Sequence, residues 1–189
     1  MDLERFAVHE DELGLDYCLA FARGLTAAQV AGRLGGTEIA WVRGLAQLPA
    51  GSPFVAVAEL PGGAVIVEAF RGRLLFEPAN RPLSQGTSVA VVYESEHHDP
   101  AFLWVEDGEV RVSFNPDSPG YREGSEPDAL LDDMVRLGFD VTDEGDENAD
   151  FDEQATLRAF ALAEHVTGLP LAPGMLRDLT YLSLSLPGR

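Results

Sequence analysis

The chain has 189 residues, 46% hydrophobic and 24% charged, proportions that suit one globular α+β unit with a buried core rather than a disordered tail. Its 32 acidic residues outnumber 13 basic ones, all Arg, and the formal net charge of -19 disfavours nucleic-acid phosphates and anionic lipid while leaving room for a basic partner. Cys18 has no second cysteine to pair with, the start Met1–Arg5 is acidic, and no run approaches the roughly 20 apolar residues of a membrane span, so the expected compartment is the cytoplasm.

The acid is unevenly placed. Residues 94–153 carry a net charge of -17, whereas residues 17–93 carry +2. Along the chain, Leu15, Cys18, Leu19 and Ala22 recur at helical spacing with Gly24 as a stop, and Thr26-Ala27-Ala28-Gln29 reads as a capping box for a second helix, Ala27 to about Leu34. These two helices are expected to form an N-terminal hairpin. Glu38 to Gln47 fits helix or strand equally.

From Phe54 the period changes to two. Phe54–Leu60 and Ala64–Phe70 flank the turn Pro61-Gly62-Gly63, and Thr87–Glu94, Ala101–Glu106 and Glu109–Phe114 follow, the last pair joined by Asp107-Gly108. Short turns between consecutive strands predict an antiparallel meander of about five strands. Ser125-Glu126-Pro127-Asp128 reads as a capping box for an amphipathic helix ended by Gly138, and Leu157 to Val166 as a longer helix stopped by Gly168. Pro173 marks a short last helix, and Leu179–Leu186 reads as an edge strand or a packed extension. The acidic stretch at about 140–153 reads as a mobile, solvated loop within a single α+β domain.

In order along nearly the whole chain, four segments resemble an uncharacterised domain-of-unknown-function family of high-GC Gram-positive (actinobacterial) bacteria. They are Tyr17 through Thr26, Leu83-Ser84-Gln85-Gly86-Thr87, Phe114-Asn115-Pro116 through Gly124 to Leu131, and Ala161 through Gly168. The resemblance implies no reaction and transfers no catalytic residue.

Three clusters invite a chemical reading. His97, His98 and Asp99 lie in a carboxylate-rich hairpin loop, and imidazole with carboxylate suits Zn, Mn or Fe, although adjacent extended residues point to opposite faces. Asp146-Glu147-Asn148-Ala149-Asp150-Phe151-Asp152 imitates a calcium loop but has Phe151 where the glycine belongs and Leu157 where the bidentate Glu belongs. In the turn-rich loop Asn115–Ser125, Tyr121 and Arg122 are the residue types that dominate binding hot spots, set against a purely structural bridging role.

Cys18 reads as a small core hydrophobe rather than a nucleophile, and no phosphate-loop, dinucleotide, zinc-protease or nucleophile-elbow motif is present, so no cofactor is expected. The leading expectation is a noncatalytic interaction protein, of immunity or inhibitor type, that uses Tyr121, Arg122, Asp143, Glu144, Asp146 and Glu147 on an acidic surface to bind a basic partner. The alternatives are an enzyme of unrecognised type and a metal or small-ligand sensor. An exposed edge strand would leave a homodimer open.

Overall fold

The computed structural model describes residues 2–14, 16–48, 54–69, 72–95, 99–142, 152 and 154–187. Among the described residues, nine strands join in one sheet: β1 (Tyr17–Arg23), β2 (Thr37–Arg43), β3 (Val55–Leu60), β4 (Gly63–Ala69), β5 (Ser88–Glu94), β6 (Ala101–Glu106), β7 (Glu109–Phe114), β8 (Arg122–Glu123) and β9 (Thr180–Ser185). Their order is β2-β9-β3-β4-β1-β5-β6-β7-β8, and every neighbouring pair is antiparallel. The class is α+β, but the expected five-stranded meander is corrected to nine strands. The five runs read from period two do form β3 to β7. They are not consecutive neighbours, because β1 separates the β3–β4 hairpin from the β5–β6–β7 meander.

The N-terminal helical hairpin is also corrected. Tyr17–Arg23 is a strand, preceded by helix α1 (Ala7–Leu13) and followed by helix α2 (Ala27–Leu34). Lying between β4 and β5, β1 is buried from Tyr17 to Ala22 on both faces. A strand covered on both sides has no polar face to alternate with, and its continuous apolar run then contains helical spacing by default. The tail likewise proves interior: β9 pairs with β2 on one side and β3 on the other.

Alternate residues of the central strands feed two cores. Tyr17, Leu19, Phe21, Val92 and Phe102 pack with α4 (Leu131–Leu137), α5 (Ala155–Thr167) and Leu176 of the short helix α6 (Met175–Asp178). Phe160 stacks on Phe6 at 5.9 Å and on Tyr17 at 6.2 Å between ring centres. On the other face Cys18, Ala20, Val57, Ile66 and Val91 meet Val30 and Ala31 of α2 and Leu83 of α3 (Glu77–Ser84).

The local signals are used unequally. At α2 the Thr26 hydroxyl accepts from the Gln29 amide at 3.2 Å while Gln29 Oε1 accepts from the Thr26 amide at 2.9 Å, closing the expected capping box. The second expected box does not form. Ser125 instead donates its amide to Val110 O at 2.9 Å, and α4 starts later, at Leu131, without a side-chain cap. Asp107 and Gly108 both take positive φ, 52° and 80°, as a tight β6–β7 hairpin turn requires.

The β3–β4 turn lies against the end of β1, where the Gly24 amide donates to Gly62 O at 2.7 Å. A Cβ on Gly63 would stand 2.4 Å from Ala22 O and 3.0 Å from Gly24 N, both backbone atoms with little room to move. Gly63→Ala is expected to cost about 1–3 kcal/mol of stability by overpacking. Equilibrium urea unfolding checks this, and an unchanged midpoint would contradict the close approach.

Candidate interaction surface

Strand order converts the uneven charge of the sequence into a polar molecule. From β6 through the segment after α4, residues 101–142 contain ten acidic residues and three Arg. At the opposite end, β2, β9 and β3 together carry Glu38, Glu59 and Arg43 only. Glu109, Glu123, Glu126, Asp128, Asp132 and Asp140 are all exposed, so the acidic end is a solvated surface.

The loop between β7 and α4 is built around one guanidinium. Asn115 Oδ1 accepts from the Asp117 amide at 2.8 Å, and the Ser118 amide closes a turn on Asn115 O at 2.9 Å. Arg122 then donates to Pro119 O, to Val141 O at 3.1 Å and to Asp128 Oδ1 at 3.0 Å, with its side chain 13% exposed. It ties the loop, the approach to α4 and the segment leaving α4 into one piece. Tyr121 is left pointing outward, 66% exposed. The two residues that sequence paired as hot-spot types therefore part: Arg122 serves the loop's structure, and Tyr121 stands free on the acidic surface beside it. Exposed Val135 on α4 is a second apolar residue in this region.

The remaining candidates are placed less fully. Asp143, Glu144, Asp146 and Glu147 lie outside the described residues, as do His97, His98 and Phe151. Asp99 is exposed. Among the described residues no group of three His, Cys, Asp or Glu side chains is disposed to hold a metal ion. Asp152, from the calcium-like run, accepts from the Gln154 amide at 3.0 Å and pairs with Arg158. Cys18 is fully buried, and burial, reinforced by Glu68, pushes its thiol well above the ordinary value, which makes it a poor nucleophile.

A model of a family of unknown function, DUF6461, matches residues 4–188. The chain belongs to that family. No curated protein and no solved structure matches it.

Two features of the structure are not visible in the sequence. On the α5 face, Glu94 at the end of β5 sits opposite Tyr17 in the ladder and accepts from Thr156 Oγ1 at 2.9 Å. Burial first, then the charges of Glu94 and Asp11, raise Glu10 of α1 to about 7. The Tyr17 hydroxyl is buried among the same groups with no hydrogen-bond partner among the described residues. On the α2–α3 face lies a cavity of about 210 Å³ lined by Ile39, Val55, Glu68, Arg73 and Leu184. Buried Glu68 accepts from the Leu74 amide at 3.2 Å and faces Arg73 at 3.8 Å. Glu10, Glu94 and Glu68 are far apart in sequence, and only strand pairing shows which face each occupies.

Removing the fork of Arg122 in Arg122→Met should cost about 1.5–3 kcal/mol, the worth of charge-assisted hydrogen bonds, and speed amide exchange across residues 115–123. Tyr121→Ala should leave stability within about 0.5 kcal/mol. Amide exchange by mass spectrometry distinguishes the two roles.

Glu10 also sets a pH dependence. Its folded value lies above the ordinary 4.5, so between pH 4.5 and about 7 the folded chain holds a proton that the unfolded chain releases, and stability falls as pH rises through that window. His9 works in the opposite sense, since burial lowers its imidazole and its protonation on acidification favours unfolding. The comparison is therefore between variants: Glu10→Gln should gain melting temperature over the parent above pH 7 and lose that advantage below pH 4.5. Equal gains at both ends would refute it.

Proposed function

We propose that the protein is a noncatalytic protein–protein interaction module, of immunity or inhibitor type, acting in the cytoplasm of a high-GC Gram-positive bacterium and presenting its acidic end to a basic partner. The observation that carries this reading is the exposed Tyr121 on a loop held rigid by Arg122, within a region of ten acidic residues and three Arg. A pre-organised loop loses little entropy on binding, and an aromatic ring supplies contact area at low conformational cost. The surrounding carboxylates speed encounter with a basic surface and disfavour acidic competitors.

The enzyme reading draws less support. Catalysis needs a concavity and perturbed titratable groups converging on one point. Here the cavity lined by Glu68 opens on the α2–α3 face, whereas Glu10 and Glu94, with the shifted carboxyl, belong to the α5 face.

The test is affinity capture with tagged protein from a lysate of a high-GC Gram-positive bacterium at low and high salt, followed by mass spectrometry. A basic protein held at low salt and shed at high salt is expected. Its retention should fall at least tenfold with Tyr121→Ala combined with Glu123→Gln and Asp132→Asn, and also with neutralisation of Asp143, Glu144, Asp146 and Glu147. Capture unaffected by these changes, or none at either salt, removes the reading.

A further inference from the structure

The two ends of the sheet differ in how they finish. At the β8 end the last strand is two residues long and runs into a glycine turn, so little ladder is left unpaired. At the other end β2 offers seven residues that, among the described residues, pair with β9 alone. Every residue of β2 except Val42 is exposed, including Ile39 at 65% and Trp41 at 58%. A long edge strand bearing large apolar side chains, without Pro or Lys, is a template for a further strand.

We infer that this strand is the interface of a homodimer, β2 pairing antiparallel with β2 of a second copy to make one continuous sheet. The occupant is identified by register and charge. In the ladder with β9, Glu38 stands opposite Leu184, Ala40 opposite Ser183, Trp41 opposite Leu182 and Arg43 opposite Thr180, so Ile39 is skipped as a bulge. Without the bulge Glu38 and Arg43, an odd number of residues apart, would lie on opposite faces. With it they share the face of Trp41, two ladder steps to either side of that residue. A two-fold axis normal to the sheet through Trp41 then sets Glu38 of each copy against Arg43 of the other, Ala40 against Val42, and the two indoles against each other. Neither Glu38 nor Arg43 enters an ion pair among the described residues, so both are free to make this one.

Electrostatics favours a second copy over an unrelated strand at this edge. A chain of net charge -19 repels its own kind over most of its surface. The β2 strand carries one Glu and one Arg, and β9 beside it carries no charge, so two copies approach here with little repulsion. The interface uses none of the residues assigned to the acidic surface and stands or falls independently of that assignment.

Sedimentation velocity of the purified full chain over a concentration series tests it, with circular dichroism to verify folding. The parent should be dimeric. Trp41→Ala should weaken association at least about 30-fold, as loss of a central aromatic anchor does. Glu38→Arg and Arg43→Glu, both at exposed positions that leave the fold undisturbed, should each weaken it about tenfold by setting like charges opposite one another. The double reversal Glu38→Arg/Arg43→Glu should restore the parent affinity to within about threefold. A parent that stays monomeric throughout, or a dimer indifferent to all four variants, overturns the inference.

Discussion

Burial of β1 on both faces is the constraint from which the rest of the architecture follows. Six consecutive residues, Tyr17 to Ala22, are withdrawn from water, and the large ones among them each contribute about 1.5–3 kcal/mol on leaving it. A strand in that position needs partners on both edges and cover on both faces. β4 and β5 supply the edges, and their own inner residues must be apolar for the same reason. α5 covers one face, while α2 and α3 cover the other. Once the centre is closed in this way, polar character can return only toward the two ends of the sheet.

The first and last described elements complete the structure. α1 is seven residues long, too short to persist alone, and it is held by the stack of Phe6 on Phe160 and by charge pairs that reach the last third of the chain. Arg5 pairs with Glu164 of α5, and Arg177 of α6 pairs with Glu12 at 2.8 Å. Fully buried His9 stands 3.5 Å from the same Glu12. With Arg177 exposed and Arg5 partly so, these pairs add little net stability, but they fix where α1 docks. β9 goes further: it fills the gap between β3 and β2, so β2 joins the sheet only when the end of the chain is in place. Pairing over such sequence separation implies slow folding relative to the local β5–β6–β7 meander.

Legibility from sequence followed the range of the interaction. The Thr26–Gln29 box, the glycine stops at Gly138 and Gly168 and the Asp107-Gly108 turn are set by neighbours a few residues away, and each appears where the residues place it. Ser125-Glu126-Pro127-Asp128 has the same local form as Thr26–Gln29, yet tertiary partners claim its side chains: Glu126 pairs with Arg111 and Asp128 with Arg122. Tyr17–Arg23 was misread because a doubly covered strand carries no alternation. Leu179–Leu186 reads as an edge strand or a packed extension because nothing local shows that β2 lies beyond it, and β2 itself fits helix or strand equally by pattern. At the candidate surface, composition identified Tyr121 and Arg122 as distinctive but could not divide their roles, which depend on Val141 and Asp128 being within reach of one guanidinium.

The placement of charge gives the molecule two ends that do not compete. Water and salt screen exposed carboxylates over about 8 Å at physiological ionic strength, so a solvated cluster around β7, β8 and α4 costs less than the formal charge suggests. Its summed potential still acts on an approaching basic surface, because a partner meets many carboxylates at once. Had the same residues been spread along β2, self-pairing there would set acid against acid. With the acid at one end and a self-complementary strand at the other, a dimer through β2 carries its two acidic surfaces at opposite poles. Two linked surfaces bind a bivalent target more tightly than one without any new contact, provided the target spans the distance between them. The order of strands in the sheet, with β2 and β8 at its extremes, is what makes that arrangement available.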